Sequence, residues 1–294
     1  MPRFFIRARR LLLVVAILFS RALITAEAPS AHPSDAEKID VLTRRIESRG
    51  DDPGLYLKRG AVYSEDGHYD LALEDFRKAE ALTDSVVVAF DVGMLKRRQG
   101  DLPGAKKSLD LFLGRFPNHS RALEERARVL VEMGDTEAAV ETFERLFVVT
   151  PSPNPGSYTS AARVLAEQGN TKDTDRALAI LDKGIVRLGM IPQLQQFAIE
   201  LELREGRTTR ALERLEMLEP SLGEGPEWKV EKSELLLKLD RTNEAQELLE
   251  SAATQLTQLR QTPARRDLAK RISGIEGTLE KGGATEEGLP PDPQ

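Results

Sequence analysis

Apolar residues recur along most of this chain at the spacing of helices that bury one stripe. The stretch Tyr56–Leu82 shows the pattern most fully and predicts two amphipathic helices joined at Gly67. The first carries Tyr56, Gly60 and Tyr63; the second carries Ala72, Phe76 and Ala79, spaced i, i+4, i+7. Gly60 and Ala72 leave room for two helices to cross closely, and the rings fill the space beside them. The pattern then repeats. Turn residues fall at Gly67, Gly100, Gly134, Gly169, Gly206 and Asp240, 33 to 37 residues apart. Small residues for the crossing fall at Ala72, Ala105, Ala139, Ala177, Ala211 and Ala245, 33 to 38 residues apart. Glycine suits the turn because it takes the left-handed conformation cheaply, and Pro117 and Pro151 end the second and third units where a missing N–H costs nothing. Leu109, Phe143, Leu181, Leu215 and Leu249 supply apolar partners on the second helices, and the fourth unit lengthens its turn over Asn170–Asp175.

The flanks read differently. A helix is predicted from Ala36 to Ser48, capped by Ser34 or Asp35, with Ile39, Leu42 and Ile46 as its stripe. Arg49 to Pro53 breaks it, and the Arg49-Gly50-Asp51 tripeptide reads as a helix stop rather than an adhesion motif. Pro263–Lys281 predicts a last helix whose stripe of Leu268, Ile272, Ile275 and Leu279 would cover the open end of a stack. The expected organisation is a signal segment at 1–26, a linker at 27–35, a flanking helix within 36–52, the repeats at 53–259, a capping helix at 260–281 and a disordered tail at 282–294.

The order in the first unit, a large ring, Gly, Tyr, a turn Gly, Ala, an aromatic and Ala, resembles the tetratricopeptide repeat. The resemblance covers about residues 53–259 and weakens along them. Repeat two keeps Gly93 but lacks the first ring. Repeat three keeps Leu123, Ala127 and Leu130, and repeat four keeps Tyr158, Ala161, Ala162 and Leu165. Repeats five and six match mainly in spacing. The resemblance implies an all-α, right-handed superhelical solenoid of about six helix-turn-helix units with N- and C-terminal flanking helices. It also implies a concave groove, lined by the first helix of each unit, that binds an extended or helical peptide.

Alignment on the turn residues then places Leu57 and Ala61 in the groove from repeat one, and Phe90, Met94 and Arg97 from repeat two. Repeat three supplies Arg121, Glu124 and Arg128, repeat four Thr159 and Arg163, and repeat five Gln193 and Gln196. Four arginines facing one groove would suit an acidic or carboxylate-bearing segment, with Phe90 and Met94 as an apolar anchor. The plainer alternative is that the arginines are solvated or paired with Glu124 and its neighbours. Family members that clamp chaperone C-termini carry Lys and Asn on their first helices; Leu57, Ala61 and Asp91 stand at those positions, so that clamp is absent.

Composition narrows the classes. Charged residues reach 31% and aromatics only 5%, a mix that suits helices with polar outer faces. A formal charge of −6 argues against a general nucleic-acid binder, and no Cys is present for disulfide or thiolate chemistry. Arg3, Arg7, Arg9 and Arg10 precede the apolar run Leu11–Phe19, and Ala22–Ala26 offers small residues near a cut after Ala26. That order describes a secretory signal, with an uncleaved membrane anchor over 11–26 as the alternative. Removing residues 1–26 takes five Arg and no acid from a −6 chain, leaving −11. Export to the periplasm or beyond is therefore expected.

Little in the sequence points to chemistry. His32, His68 and His119 fall singly in a linker, a turn and a loop, and read as solvated. The glycines are spread over turns rather than gathered into a phosphate loop. No cofactor or metal is expected. Trp228, the single Trp, reads as a core ring one residue off the family's aromatic position. The expectation is a non-enzymatic exported scaffold of a bacterial envelope that binds a protein or peptide. The alternatives are a permanent structural subunit of an envelope or secretion assembly and, further off, a hydrolase with a solenoid frame.

Overall fold

The computed structural model describes residues 33–223 and 225–286. All regular structure among them is helical: α1 (Asp35–Ser48), α2 (Pro53–Glu65), α3 (Tyr69–Leu82), α4 (Ser85–Arg98), α5 (Leu102–Arg115), α6 (Ser120–Met133), α7 (Thr136–Val149), α8 (Pro155–Ala166), α9 (Thr171–Leu188), α10 (Pro192–Arg204), α11 (Thr208–Leu222), α12 (Pro226–Leu237), α13 (Thr242–Gln258) and α14 (Pro263–Glu286). The expected signal segment, residues 27–32 of the linker and the tail beyond 286 lie outside the described residues.

The described residues form two compact units, divided between Gly100 and Asp101. In the first, α1 packs on α2, α2 on α3 and α3 on α4, and α2 also meets α4. In the second, each helix from α5 to α14 packs on the next, and α8 also meets α10. Contact confined to the next helix and the one after it is the mark of an all-α solenoid. The two helices of the second repeat, α4 and α5, fall one in each unit.

The features that define the repeat in sequence have direct physical counterparts. Gly67, Gly100, Gly134, Gly169 and Gly206 take φ between +71° and +82°, and Asp240, in the sixth such position, takes φ +58°. Asp240 is the one non-glycine with positive φ among the described residues; a short polar side chain tolerates that region better than most. All six crossing alanines are fully buried. At the first crossing, a Cβ on Gly60 would meet Phe76 Cε1 at 2.6 Å and the Ala72 carbonyl at 3.2 Å, so helix approach there depends on a bare backbone.

Polar bridges follow the same register. Arg59 on α2 donates to both Asp75 carboxylate oxygens at 2.8 and 2.7 Å and to Thr43 Oγ1 of α1 at 2.9 Å. Arg126 on α6 donates to Asp110 of α5 at 2.6 Å and also bonds Thr142. Lys232 on α12 reaches Glu216 of α11 at 3.1 Å. Each cation stands eight residues before its turn and reaches back sixteen. By that register α1 stands toward α2 as a second helix stands toward the first helix of the next repeat.

Helix ends have local causes. Ser34 and Glu37 form a reciprocal capping box that starts α1, and Pro occupies the first turn of α2, α5, α8, α10 and α12. At the other end α14 continues to Glu286, past Lys281, where the sequence pattern ends it. Gly282 and Gly283 lower helix propensity without blocking the backbone bonds.

Candidate functional site

The residues expected to line a binding face divide between the two units. In the first, Leu57 is half-buried and packs against the cluster of Ala72, Phe76, Ala79, Val88 and Leu95. Phe90 and Met94 are only 9% and 8% exposed, which corrects their expected role as an open apolar anchor. The cause lies in α4, which buries Val88, Ala89, Phe90, Gly93, Met94 and Leu95 around most of its girth. Arg97 is half-buried.

In the second unit, Arg121 and Arg128 are exposed on α6, Arg163 on α8, and Gln193 and Gln196 on α10. Arg128 donates to Glu124 at 2.7 Å and Glu125 at 3.1 Å. The Arg163 guanidinium lies 5.0 Å from the centroid of the Phe197 ring. Thr159 is half-buried and donates to the Pro155 carbonyl at 3.3 Å. Arg128 and Arg163 thus hold partners within the fold, as the plainer reading of the arginines has it for Arg128.

Gln196 belongs to a different feature, a groove of about 580 Å³ formed by α10, α11, α12 and α14. Its apolar lining comprises Ile199 and Leu203 of α10, Leu215, Leu218 and Leu222 of α11, and Leu235 of α12. This lining continues the core, because Ile199, Leu203 and Leu222 pack against the buried cluster of Ala211, Leu212, Leu215, Leu235, Leu236 and Ala245. On α12, Val230, Ser233 and Leu236 turn inward. Glu227, Trp228, Glu231 and Glu234 line the groove from the same helix, and Lys238 just beyond it. Trp228 is half-buried rather than a core ring, and its Nε1–H donates to the Gly223 carbonyl at 3.0 Å. That bond ties the indole to the turn that ends α11.

The groove is electrically lopsided. Glu200, Glu227, Glu231 and Glu234 face it, against Lys238 and Arg271. Arg271, from α14, closes a two-pronged bridge to Glu234 at 2.6 and 2.5 Å. Among the described residues, Glu200, Glu227 and Glu231 form no ion pair. The Glu231 carboxyl is held above the ordinary glutamate range: burial disfavours its charge, Arg271 opposes the shift, and Glu234 and Glu227 add to it. A wall of leucines beside a ring and unanswered carboxylates can hold an apolar group and a cation together.

Groups for catalysis are sparse. His119 does more than sit solvated in a loop: its Nδ1 accepts from the Ala122 N–H at 3.1 Å and caps α6, while its ring meets Phe112 edge-on at 5.1 Å. His68 lies 3.2 Å from Asp66, and His32 is outside the described residues. Among the described residues no three His, Asp or Glu side chains gather as metal ligands. No described helix is long and apolar enough to cross a membrane.

The family match and one structural match agree with the helical-repeat architecture. The family model for the tetratricopeptide repeat matches residues 53–84, which span α2 and α3. No curated protein matches the sequence. Among solved structures, the C-terminal part of a TPR repeat-containing protein from Cytophaga hutchinsonii is similar at 15% identity and TM-score 0.58, over 79% of this chain and 93% of that one. A tetratricopeptide repeat protein from Parabacteroides merdae is similar at 16% identity and TM-score 0.46, over 81% and 92%. PilF of Pseudomonas aeruginosa is similar at 19% identity and TM-score 0.46, over 66% and 86%.

Proposed function

We propose that this tetratricopeptide repeat protein is a non-enzymatic, exported scaffold of a bacterial envelope that binds another protein or peptide through the exposed faces of its first helices. The observation that carries the reading is the division of labour within each repeat. The turn residue and the crossing alanine build the frame, with a bridging cation in the first, third and sixth repeats, while exposed side chains on α6, α8, α10 and α12 vary from repeat to repeat. A constant frame with a varied face is what a solenoid offers a partner. Export rests on the basic and apolar order of residues 1–26.

The test is affinity capture from envelope extract of the native host with the full chain. A variant carrying Arg121→Glu, Arg128→Glu and Arg163→Glu, matched for helicity and melting temperature, serves as comparison. We expect one protein to be retained at defined stoichiometry, and the native protein to be recovered outside the cytoplasm without its first residues. Loss of that protein from the variant would assign it to the arginine-bearing helices. Retention by both would move the contact to another face. Recovery of a cytoplasmic chain starting at Met1 would remove export, and a preparation that enriches no protein over a blank resin would remove the scaffold reading.

A further inference from the structure

We propose that the groove of α10, α11, α12 and α14 binds a segment of a partner protein that combines an apolar face with flanking Lys or Arg side chains. The inference rests on the scaffold reading and adds to it a place and a chemistry.

Two observations carry it independently. The first is the apolar lining. A volume of about 580 Å³ falls in the range of ligand-binding clefts, and Ile199, Leu203 and Leu222 keep part of their surface open on its wall beside the buried Leu215, Leu218 and Leu235. The second is the charge. Glu227, Glu231 and Glu234 stand at i, i+4 and i+7 on α12, with Glu200 facing the same space from α10. Like charges one turn apart destabilise a helix, and Arg271 answers only Glu234 by direct contact. The repeat frame does not require this stripe: at the same offsets from the turn, repeat one has Gly54, Lys58 and Ala61. A cation arriving beside the leucines would answer Glu200, Glu227 and Glu231 together. An acidic rim would also steer a basic segment toward the site.

The chain carries its own reporter, because Trp228, its single Trp, lines the groove. Synthetic peptides of equal length and helical spacing are titrated into the full chain. One has Leu on one face and Lys on the flanks, one has Glu in place of Lys, and one has Ser in place of Leu. Binding is read by anisotropy of a dye on the peptide and by Trp228 emission. The Leu/Lys peptide should bind and shift the emission. The Leu/Glu peptide should not bind, and the Ser/Lys peptide should bind at least tenfold more weakly.

The combined variant Glu200→Gln, Glu227→Gln and Glu231→Gln keeps side-chain shape and the Arg271–Glu234 bridge. Each exposed charge contact is worth roughly two- to fivefold, so the variant should weaken the Leu/Lys peptide at least about tenfold and flatten its salt dependence. Equal binding of the Leu/Glu peptide would overturn the charge assignment. Leu/Lys binding that leaves Trp228 emission unchanged and survives the three substitutions would overturn the groove, leaving diffuse attraction to an acidic chain. An emission shift produced by protein concentration alone would give the groove to a second copy. If these arms fail while an envelope protein is still captured, the scaffold reading stands and only the groove assignment falls.

Discussion

In the first repeat, α2 and α3, the residue seven before the turn is Gly60, and the Phe76 ring fills the space a side chain would need. In the last, α12 and α13, the same positions hold Ser233 and Leu249, both fully buried, and the Ser233 hydroxyl bonds the Val230 carbonyl at 2.7 Å. The neighbouring cations differ more. Arg59 bridges to an Asp75 side chain that is 5% exposed, whereas Lys232 reaches Glu216 and Glu219, whose side chains are 42% and 39% exposed. The first repeat pairs its buried carboxylate internally and is also the stretch that the family model detects. The last leaves Glu227 and Glu231 unpaired along a groove that Glu200 of α10 and the part-exposed Ile199, Leu203 and Leu222 also line. The same frame therefore matches its buried charge in the first repeat and leaves acids unmatched along a groove in the last.

Substitution of the two cations tests that contrast most strongly. Arg59→Met strands the buried Asp75 carboxylate, and removing one partner of a buried pair costs about 3–5 kcal/mol. Lys232→Met should cost under about 1 kcal/mol, because its partners remain hydrated. The double variant Arg59→Met/Asp75→Leu should recover most of the first loss, since an apolar pair of similar volume needs no counter-charge. Urea midpoints for all of these, read by circular dichroism, decide it. Comparable losses at Arg59 and Lys232 would mean the two repeats do not differ as described.

A smaller effect is expected at the helix crossing. Gly60→Ala places a methyl against the Phe76 ring and the Ala72 carbonyl, and overpacking of this kind costs about 1–3 kcal/mol. Adding Phe76→Leu should relieve the clash, so that the double variant loses less than the sum of the single ones. Strict additivity would show that the ring and the glycine do not compete for one space.

These contrasts also explain what the sequence could and could not disclose. The turns and crossings were legible because each is a local demand with a narrow answer: positive φ asks for Gly or a short polar residue, and close approach asks for Ala. The capping box of α1 was half legible, in Ser34. The fate of Phe90 and Met94 was not, because α4 is apolar around most of its circumference and periodicity cannot name its outer face. His119 was hidden for another reason: an imidazole cap depends on one N–H three residues on, and His is not a usual cap. The groove was the largest omission. Glu227, Glu231 and Glu234 look in sequence like an ordinary solvated face. Only the approach of α10, α11 and the distant Arg271 shows that the face borders leucines. The lone Trp228 beside those acids was the one available signal, and it read as core.

The smallest predicted effect separates a carboxylate of the frame from a carboxylate of the groove. Burial would raise Asp110, but hydrogen bonds from Arg126 and Lys106 outweigh it and hold the group below its ordinary 3.8. A pKa lowered by folding adds stability above the unfolded value, and that stability is lost as pH falls through the folded one. Glu231 runs the other way. Burial, reinforced by Glu234 and Glu227 against the pull of Arg271, raises it above 4.5. Its contribution is present below the unfolded value and is lost as pH rises through the raised one. Asp110→Asn should therefore cost stability near neutrality, by no more than about 1 kcal/mol given its partial exposure, with the deficit closing in acid. Glu231→Gln should match wild type in acid and exceed it by a few tenths of a kcal/mol near neutrality, an effect screened because the carboxyl is only partly buried. Urea midpoints between about pH 4 and pH 8 measure both, and the same sign for the two variants would contradict the assignment. The groove adds a further condition: a cation seated beside Glu231 stabilises its charged form, so saturating Leu/Lys peptide should abolish the Glu231 slope while leaving that of Asp110 unchanged.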